Sequence, residues 1–214
     1  MSAADGPAGR RPAAGTGKGE RKRAELLDAA EGVLLTSGHA ELSMRAVATA
    51  AGVRLGHLQY YFPARSDLVS AVLARILDNS LERLSPLLGA TAPDPAGIVR
   101  ALLADQDDPQ LVRLFTEVWA LAAVDDTVAP AVRGFYGDYL DRLTGHLRLH
   151  CPELSAPAAR ARAAVFVMLI EGAALFRSGV AAHRTPETDA ELIGTAVRLL
   201  TAPADGPRQP PGCP

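Results

Sequence analysis

A short segment near the amino terminus carries side chains suited to binding nucleic acid. Between Arg54 and Tyr61 the sequence reads RLGHLQYY, and helical spacing turns Leu58, Tyr61 and then Phe62 inward. The residues left at the surface or rim offer side-chain donors, backbone donors and flat rings: Arg54, Leu55, Gly56, His57, Gln59 and Tyr60. Such groups at the start of a short helix can bind base edges and phosphates in a DNA major groove.

A second short helix is predicted immediately before this segment. Ser43 can cap it, since a hydroxyl accepts a hydrogen bond from a free helical N–H, and the apolar residues from Met44 to Ala51 recur at helical spacing. Gly52 then allows the left-handed backbone of a sharp turn, and Val53 can fill the joint between the helices. We therefore predict two helices, from about Ser43 to Ala51 and from Arg54 to Tyr61, joined by a tight turn.

Three runs of sequence together resemble one known family. The runs LLDAAEGVLLTSG, SMRAVATAAGV and GHLQYYFPARSDLVSAVL, within about Arg23 to Leu73, resemble the amino-terminal domain of the tetracycline-repressor-like (TetR) transcriptional regulators. The resemblance implies an all-α fold of about nine helices. A three-helix helix-turn-helix domain would be joined by a long helix to a carboxy-terminal helical domain for ligand binding and dimerisation.

The resemblance also implies specific contacts with double-stranded DNA. Ser43 and Arg45 are expected at phosphates, with Arg45 able to reach a base, and Arg65 is expected at the DNA backbone. Six residues lie where family members contact the duplex: Arg54, Gly56, His57, Gln59, Tyr60 and Tyr61. Family members often have Ser or Thr at position 54 and Tyr at position 59, so Arg54 and Gln59 depart from the pattern and indicate a base preference of this chain's own.

Composition and charge are compatible with a DNA-binding protein of the cytoplasm. Up to Arg65 there are nine basic and six acidic residues, a balance of +3, which leaves −5 for the remainder of a chain with net charge −2. Cys151 and Cys213 are too far apart in the sequence to suggest a disulfide framework. Glu171 interrupts the longest apolar run, and no signal peptide is recognisable, so we expect no membrane partner and a cytoplasmic protein associated with the bacterial nucleoid when it binds DNA.

The chain divides into four parts by composition and helical pattern. We predict a disordered basic arm at 1–19, a helix-turn-helix domain at 20–66, a helical effector-binding and dimerisation domain at 67–202 and a disordered tail at 203–214. The arm either trails along DNA or is simply a solvated terminus. Ser66 is expected to cap a long helix through about Leu84, and residues 85–97, rich in Pro and Gly, are predicted to form a loop.

The second domain concentrates the aromatic residues on its middle helices. Six residues are candidates for a small-molecule pocket, although aromatic residues at helical spacing more often belong to a core: Phe115, Trp119, Tyr136, Tyr139, Met168 and Glu171. A buried carboxylate such as Glu171 needs a partner. Arginine is the default partner, and a hydroxyl, the dimer mate or a cationic ligand are the alternatives.

The last two helices are the candidate dimer surface. Two stripes of small and apolar residues would allow close helix packing in a four-helix bundle: Ala161, Ala164, Val165, Met168, Gly172, Ala173 and Leu175, with Ile193, Ala196, Val197 and Leu200. The alternative is that these faces complete the monomer core. Two recognition helices about 34–36 Å apart would read a palindromic operator.

Motifs for catalysis or metal binding are weak in this sequence. His146 and His150 share a helix face near Cys151, but a structural helix end explains them equally well, so we predict no enzyme activity, no metal and no cofactor. The favoured function is a homodimeric transcriptional regulator, most often a repressor in this family, released from DNA by a small-molecule effector. The alternative is a helical small-molecule binding protein that does not read DNA.

Overall fold

The computed structural model describes residues 16–89, 94–179, 181 and 184–201, and every regular element among them is helical. Two 3₁₀ turns, His39–Glu41 and Asp105–Asp107, accompany nine α-helices in this part of the chain. The helices are α1 (Thr16–Ser37), α2 (Met44–Ala50), α3 (Leu55–Tyr61), α4 (Arg65–Leu88), α5 (Pro95–Ala104), α6 (Pro109–Val124), α7 (Ala129–His150), α8 (Ala156–Arg177) and α9 (Pro186–Thr201). The expected all-α fold, with an amino-terminal helix-turn-helix and a helical carboxy-terminal part, is confirmed.

Helices α1, α2 and α3 pack into a small unit, called the head below, around an aliphatic core. The apolar face predicted for α1 is buried in full: Leu26, Leu27, Ala30, Val33 and Leu34. Leu58, in the middle of α3, and Phe62, which follows its last residue, are also buried. Helix α1 packs on α2, and α2 packs on α3, so the three helices form one unit.

The turn between α2 and α3 follows the sequence prediction. Ser43 Oγ accepts a hydrogen bond from the backbone N–H of Ala46 over 3.2 Å and so caps α2. Gly52 has φ of +64°, a left-handed conformation that a Cβ would strain. The N–H of Val53 returns to the carbonyl of Ala48 over 2.9 Å, which closes the turn.

Helix α4 connects the head to the remaining helices, called the body below. It begins at Arg65, and its capping carboxylate is that of Asp67, which accepts from the N–H of Ala64 over 2.9 Å. The expected Ser66 cap is therefore wrong. The expected loop at 85–97 is also wrong at both ends, because α4 continues through Pro86 to Leu88 and α5 begins at Pro95. A proline ring is compatible with a helix whose preceding turn accommodates it, although it removes one hydrogen bond.

Three of the body helices begin at polar capping residues. Asp94 caps α5 and Asp108 caps α6, each followed by Pro at the first helical position, and Ser155 caps α8. Helix α7 packs between α4 and α8, and α9 packs on α5 and α8. Arg177, at the end of α8, pairs with Asp107 over 2.9 Å and with Asp189 over 2.5 Å, which joins three elements at this end of the body.

Two expectations about the ends of the chain need correction. Residues 16–19 are helical rather than disordered, because α1 extends one turn beyond the start expected at Glu20. The rest of the expected basic arm, residues 1–15, and the expected tail at 203–214 lie outside the described residues. On α9, Ala196 and Leu200 are buried in the monomer core rather than placed on a surface for dimerisation.

Candidate nucleic-acid interface and ligand cavity

The residues expected at DNA gather on one exposed surface of the head. Arg45 lies on the first turn of α2, while Arg54 lies at the start of α3 in an extended conformation and leaves its side chain free of any capping hydrogen bond. Gly56, His57 and Gln59 are exposed along α3. Tyr60 is 80% exposed at the carboxy-terminal end of α3. The surface therefore presents guanidinium, imidazole, amide and phenol groups together.

Three of the expected contact residues also hold the head together. Ser43 uses its oxygen as a helix cap, which leaves its hydroxyl hydrogen able to donate to a phosphate. Arg65 donates from Nε to the carbonyl of Leu42 over 2.9 Å, so that only its terminal nitrogens face outward. The ring of Tyr61 is half-buried and lies edge-on to His57 and Tyr60, with centroid distances of 5.6 and 5.1 Å. These contacts restrict the side chains before any ligand is bound.

One basic side chain beside this surface was missed by sequence reasoning. The guanidinium of Arg23, on α1, lies over the ring of Phe62 with its carbon 5.1 Å from the ring centroid. Phe62 follows α3 directly, so Arg23 adds a positive charge next to the reading helix. The cluster of basic residues at 21–23 was the available signal, but only the contact of α1 with Phe62 selects Arg23.

A cavity of about 150 Å³ lies in the body between α4, α6, α7 and α8. Four of the predicted pocket residues line it: Phe115, Trp119, Tyr139 and Glu171. Tyr136 lies beside the cavity and is bonded to its wall. Met168 was assigned wrongly, since it is 71% exposed and is not among the lining residues. It lies on α8 beyond the edge of the face that Ile170, Glu171 and Ala174 present to the cavity.

Several lining residues were not predicted from sequence. They include Ser80, Arg83 and Leu84 of α4, Asp105 and Gln106 of the second 3₁₀ turn, Leu111, Val112 and Thr116 of α6, and Ile170 and Ala174 of α8. Those of α6 lie one turn before the aromatic residues on the same face, so helical spacing was a usable signal for them. The residues of α4 and of the 3₁₀ turn have no such signal in the sequence.

Glu171 lies in the cavity wall and is bonded to a hydroxyl rather than to an arginine. Its Oε2 accepts from the hydroxyl of Tyr136 over 3.2 Å, and that hydroxyl accepts from Trp119 Nε1 over 2.8 Å. The default expectation of an arginine partner is therefore wrong, and the hydroxyl alternative is the one observed. Burial raises the pKa of Glu171 to about 7, an effect that the bond from Tyr136 only partly offsets. Burial next to this carboxylate also raises the pKa of Tyr136 well above its ordinary value.

Helix α6 separates the cavity from the head. Phe115 and Trp119 face the cavity, and Glu117 lies two residues from each, about 200° around the helix. Glu117 Oε2 accepts from both the backbone N–H and the ring Nδ1 of His39, each over 2.7 Å. Arg113, one turn earlier, donates to the carbonyl of Thr36 over 3.2 Å. Opposite faces of one helix thus touch the cavity and the joint with the head.

The histidines at the end of α7 contact each other, and the following cysteine contacts α9. His146 stacks on His150 with ring centroids 4.2 Å apart, and Cys151 Sγ lies 3.4 Å from the carbonyl of Leu200. Within the described ranges, no group of three or more His, Cys, Asp or Glu side chains is arranged to hold a metal ion. Among the same residues, no helix has both the length and the apolar composition that crossing a bilayer requires.

Comparison with known proteins agrees with the fold. The family model of the bacterial regulatory proteins of the tetR family matches residues 26–72, which run from within α1 through α2 and α3 into α4. The amino-terminal helix-turn-helix is therefore similar to that of the tetR-family regulators.

Individual relatives extend the similarity into the body. The chain is 33% identical over 128 residues to an uncharacterized HTH-type transcriptional regulator in the dhlA 5′ region of Xanthobacter autotrophicus, across 56% of this chain and 63% of that protein. It is 31% identical over 136 residues to the HTH-type transcriptional repressor KstR of Rhodococcus jostii, across 58% of each. The matched part thus spans less than two thirds of either relative. The structure of SCO7518 from Streptomyces coelicolor A3(2) superposes with a TM-score of 0.64 and 25% identity, over 85% of this chain and 99% of that one.

Proposed function

We propose that the protein is a sequence-specific DNA-binding regulator of transcription rather than an enzyme. One observation supports the proposal. A TetR-like helix-turn-helix, whose turn is made by Gly52, exposes four polar residues together along α3 and at its N-cap: Arg54, His57, Gln59 and Tyr60. These side chains suit an interface with a duplex, where Gln pairs with adenine, Arg with guanine or phosphate, and Tyr with phosphate. Ser43, Arg45 and the outer nitrogens of Arg65 would position the head on the DNA backbone.

The active form in this proposal is a homodimer that uses the exposed face of α8. Val165, Met168, Leu175 and Phe176 are 51%, 71%, 49% and 52% exposed, an apolar stripe of a kind that a monomer rarely leaves in water. Small neighbours on the same face, Ala161 and Gly172, would let a second copy approach closely. A two-fold dimer places two reading helices in successive major grooves, so the operator is expected to be palindromic.

Regulation in this proposal comes from a small molecule in the body cavity. The cavity is lined mainly by apolar side chains with a few polar ones, which is typical of ligand sites. Its ligand would act through α6 on the joint with the head and release the dimer from DNA, so the protein would act as a repressor, as KstR is named. Because its partner is chromosomal DNA, the protein is expected in the cytoplasm, on the nucleoid while bound.

The decisive experiment is selection of a duplex from a randomised library, followed by fluorescence anisotropy with the enriched sequence. We expect an inverted repeat whose half-site centres lie about 10 base pairs apart, and an affinity that falls steeply as salt rises. Gln59→Ala and Arg45→Ala are expected to weaken binding by about 10-fold or more, the effect of about 1–3 kcal/mol per base or phosphate contact.

Arg148→Ala is the matched control, since this exposed arginine lies near the end of α7, away from the head. It is expected to leave the affinity unchanged. Full affinity of both Gln59→Ala and Arg45→Ala would show that the reading surface is assigned wrongly. Failure to enrich any duplex, by a protein that still binds a small molecule, would favour the alternative of a helical binding protein that does not read DNA.

A further inference from the structure

The wall of the body cavity carries one carboxylate that no basic side chain offsets. Three charged residues line it, and two of them form a pair at half-exposed positions: Arg83 Nε lies 3.5 Å from Asp105 Oδ2. The third, Glu171, has only the hydroxyl of Tyr136 as a polar partner among the described contacts. When Glu171 is ionised, the cavity wall therefore has a net charge of −1.

Two further lining residues hold polar oxygen atoms without a hydrogen-bond partner. Tyr139 is 2% exposed and its hydroxyl is unpaired. Gln106 donates from Nε2 to the carbonyl of Ile170, which fixes the orientation of its amide because a carbonyl can only accept, and its Oε1 is left unpaired. A buried oxygen without a partner costs about 1–3 kcal/mol. A ligand that brings N–H donors would recover that energy.

Aromatic rings form another part of the wall. Phe115 lies 6.2 Å from Trp119 and 6.0 Å from Phe135, measured between ring centroids, and both flanking rings also line the cavity. Aromatic faces attract cations as well as apolar groups. The volume of about 150 Å³ is close to that of an engineered cavity known to hold one benzene ring, so the ligand body must be compact.

We propose that the cavity binds a primary or secondary ammonium ion with a compact apolar body, whose N–H groups reach Glu171, Gln106 and Tyr139. A carboxylate ligand would be repelled by Glu171, and a quaternary ammonium would leave the two unpaired oxygens without donors. The role of this ion as the effector of a DNA-binding regulator rests on the proposed function. Binding of the ion requires only the cavity.

Binding is tested first without DNA, by isothermal titration calorimetry at pH 8 with three ligands of similar size. The probes are 2-phenylethylammonium, 2-phenylethanol and 3-phenylpropanoate. We expect the ammonium ion to bind at least about 10-fold more tightly than the alcohol, since a hydrogen bond to a charged group contributes about 1.5–3 kcal/mol. No binding of the propanoate is expected. Equal affinity for the ammonium ion and the alcohol, or binding of neither, would overturn the proposal.

A charge-removing variant locates the effect in the cavity. Glu171→Gln is expected to weaken binding of the ammonium ion by about 10–100-fold and to change the affinity for the alcohol by less than about 3-fold. Glu153→Gln, a matched change at an exposed position between α7 and α8, is expected to leave both affinities unchanged. Native affinity of Glu171→Gln for the ammonium ion would also overturn the proposal, because the counter-charge would then lie elsewhere.

A final measurement separates this inference from the proposed function. The ammonium ion is added to the complex of the protein with its selected duplex, and release is followed by anisotropy. If the ion releases the native protein from DNA and Glu171→Gln abolishes this release, both the ligand class and the effector role are supported. If the ion binds through Glu171 and leaves the DNA affinity unchanged, the ligand class stands and the effector role in the proposed function fails.

Discussion

Glu117 accepts two hydrogen bonds from His39, one from its backbone and one from its ring, each over 2.7 Å and across 78 residues of sequence. This contact joins α6 of the body to the 3₁₀ turn of the head. Gly38, just before His39, has φ of +83°, and a Cβ there would lie only 3.2 Å from Glu117 Oε1. The left-handed glycine therefore lets the carboxylate approach the backbone.

The first prediction concerns the stability of this joint and its dependence on pH. Burial opposes ionisation of Glu117, but the bonds from His39 and the charges of His39 and Arg113 outweigh it, so the pKa of Glu117 lies below its ordinary value of 4.5. A depressed pKa contributes stability above about pH 4.5 that is lost as the pH falls through the lowered value. Glu117→Gln is expected to destabilise the protein by about 1 kcal/mol at pH 7 and by less toward pH 4, as measured by urea unfolding. A loss that grew with acidity would contradict the assignment.

The second prediction concerns the transmission of ligand binding to the head. If α6 carries the signal, Glu117→Gln retains ligand affinity and DNA affinity while the two become less coupled. Allosteric coupling is typically about 5–150-fold, and we expect the ratio of DNA affinities without and with ligand to fall several-fold toward unity. Anisotropy titrations with and without saturating ligand measure this ratio. An unchanged ratio in Glu117→Gln would mean that another contact transmits the signal.

The third prediction follows from the raised pKa of Glu171, about 7 in the folded protein against an ordinary value of 4.5. A raised carboxyl pKa favours folding at low pH, and that contribution is lost as the pH rises through 7. Glu171→Gln removes the cost of burying the charge, so we expect it to be more stable than the native protein by about 1–3 kcal/mol at pH 8. This gain in the free energy of unfolding should shrink near pH 5 to about a quarter of its value at pH 8.

The same variant therefore gains stability where it loses ammonium binding. Glu153→Gln serves as the control and is expected to change stability by less than about 0.5 kcal/mol at either pH. A Glu171→Gln protein less stable than the native one at pH 8 would show that the carboxylate has a compensating partner.

The fourth prediction compares two glycines of the helix-turn-helix. Gly52 has a left-handed backbone, whereas Gly56 does not, and a Cβ at Gly56 would meet no atom within 4 Å. Gly52→Ala is expected to lower stability by about 1–2 kcal/mol. Gly56→Ala is expected to keep or raise stability, since Ala favours a helix by about 1 kcal/mol, and yet to weaken DNA binding where the new methyl meets the duplex. Thermal unfolding and anisotropy on both variants test this; full DNA affinity of Gly56→Ala would move the interface away from α3.

The fifth prediction concerns the exposed stripe of α8. Met168→Glu places a charge in the centre of the apolar face, and we expect the protein to elute as a folded monomer in light scattering and to bind its palindrome at least about 10-fold more weakly. Arg142→Glu, an exposed change on α7, is the control. A Met168→Glu protein that stayed dimeric would place the dimer interface elsewhere.

Local features of the fold could be predicted because short-range interactions decide them. The caps at Ser43, Asp94, Asp108 and Ser155 and the turn at Gly52 depend on residues within three or four positions, which the sequence displays directly. The apolar face of α1 likewise follows from helical spacing alone. The same reasoning placed the candidate DNA surface on one helix, although its role in binding DNA is still a prediction.

The cavity and its connection to the head were decided only by tertiary structure. Glu171 meets Tyr136 across 35 residues and Glu117 meets His39 across 78, and no local pattern selects those partners over an arginine. Met168 is a large apolar residue like several that line the cavity, but the rotation of α8 exposes its side chain to solvent. By itself the sequence determined which segments are helical and which helix presents polar groups. How each helix is rotated against its neighbours, and therefore which side chains share a cavity, depends on the packing of the whole body at once.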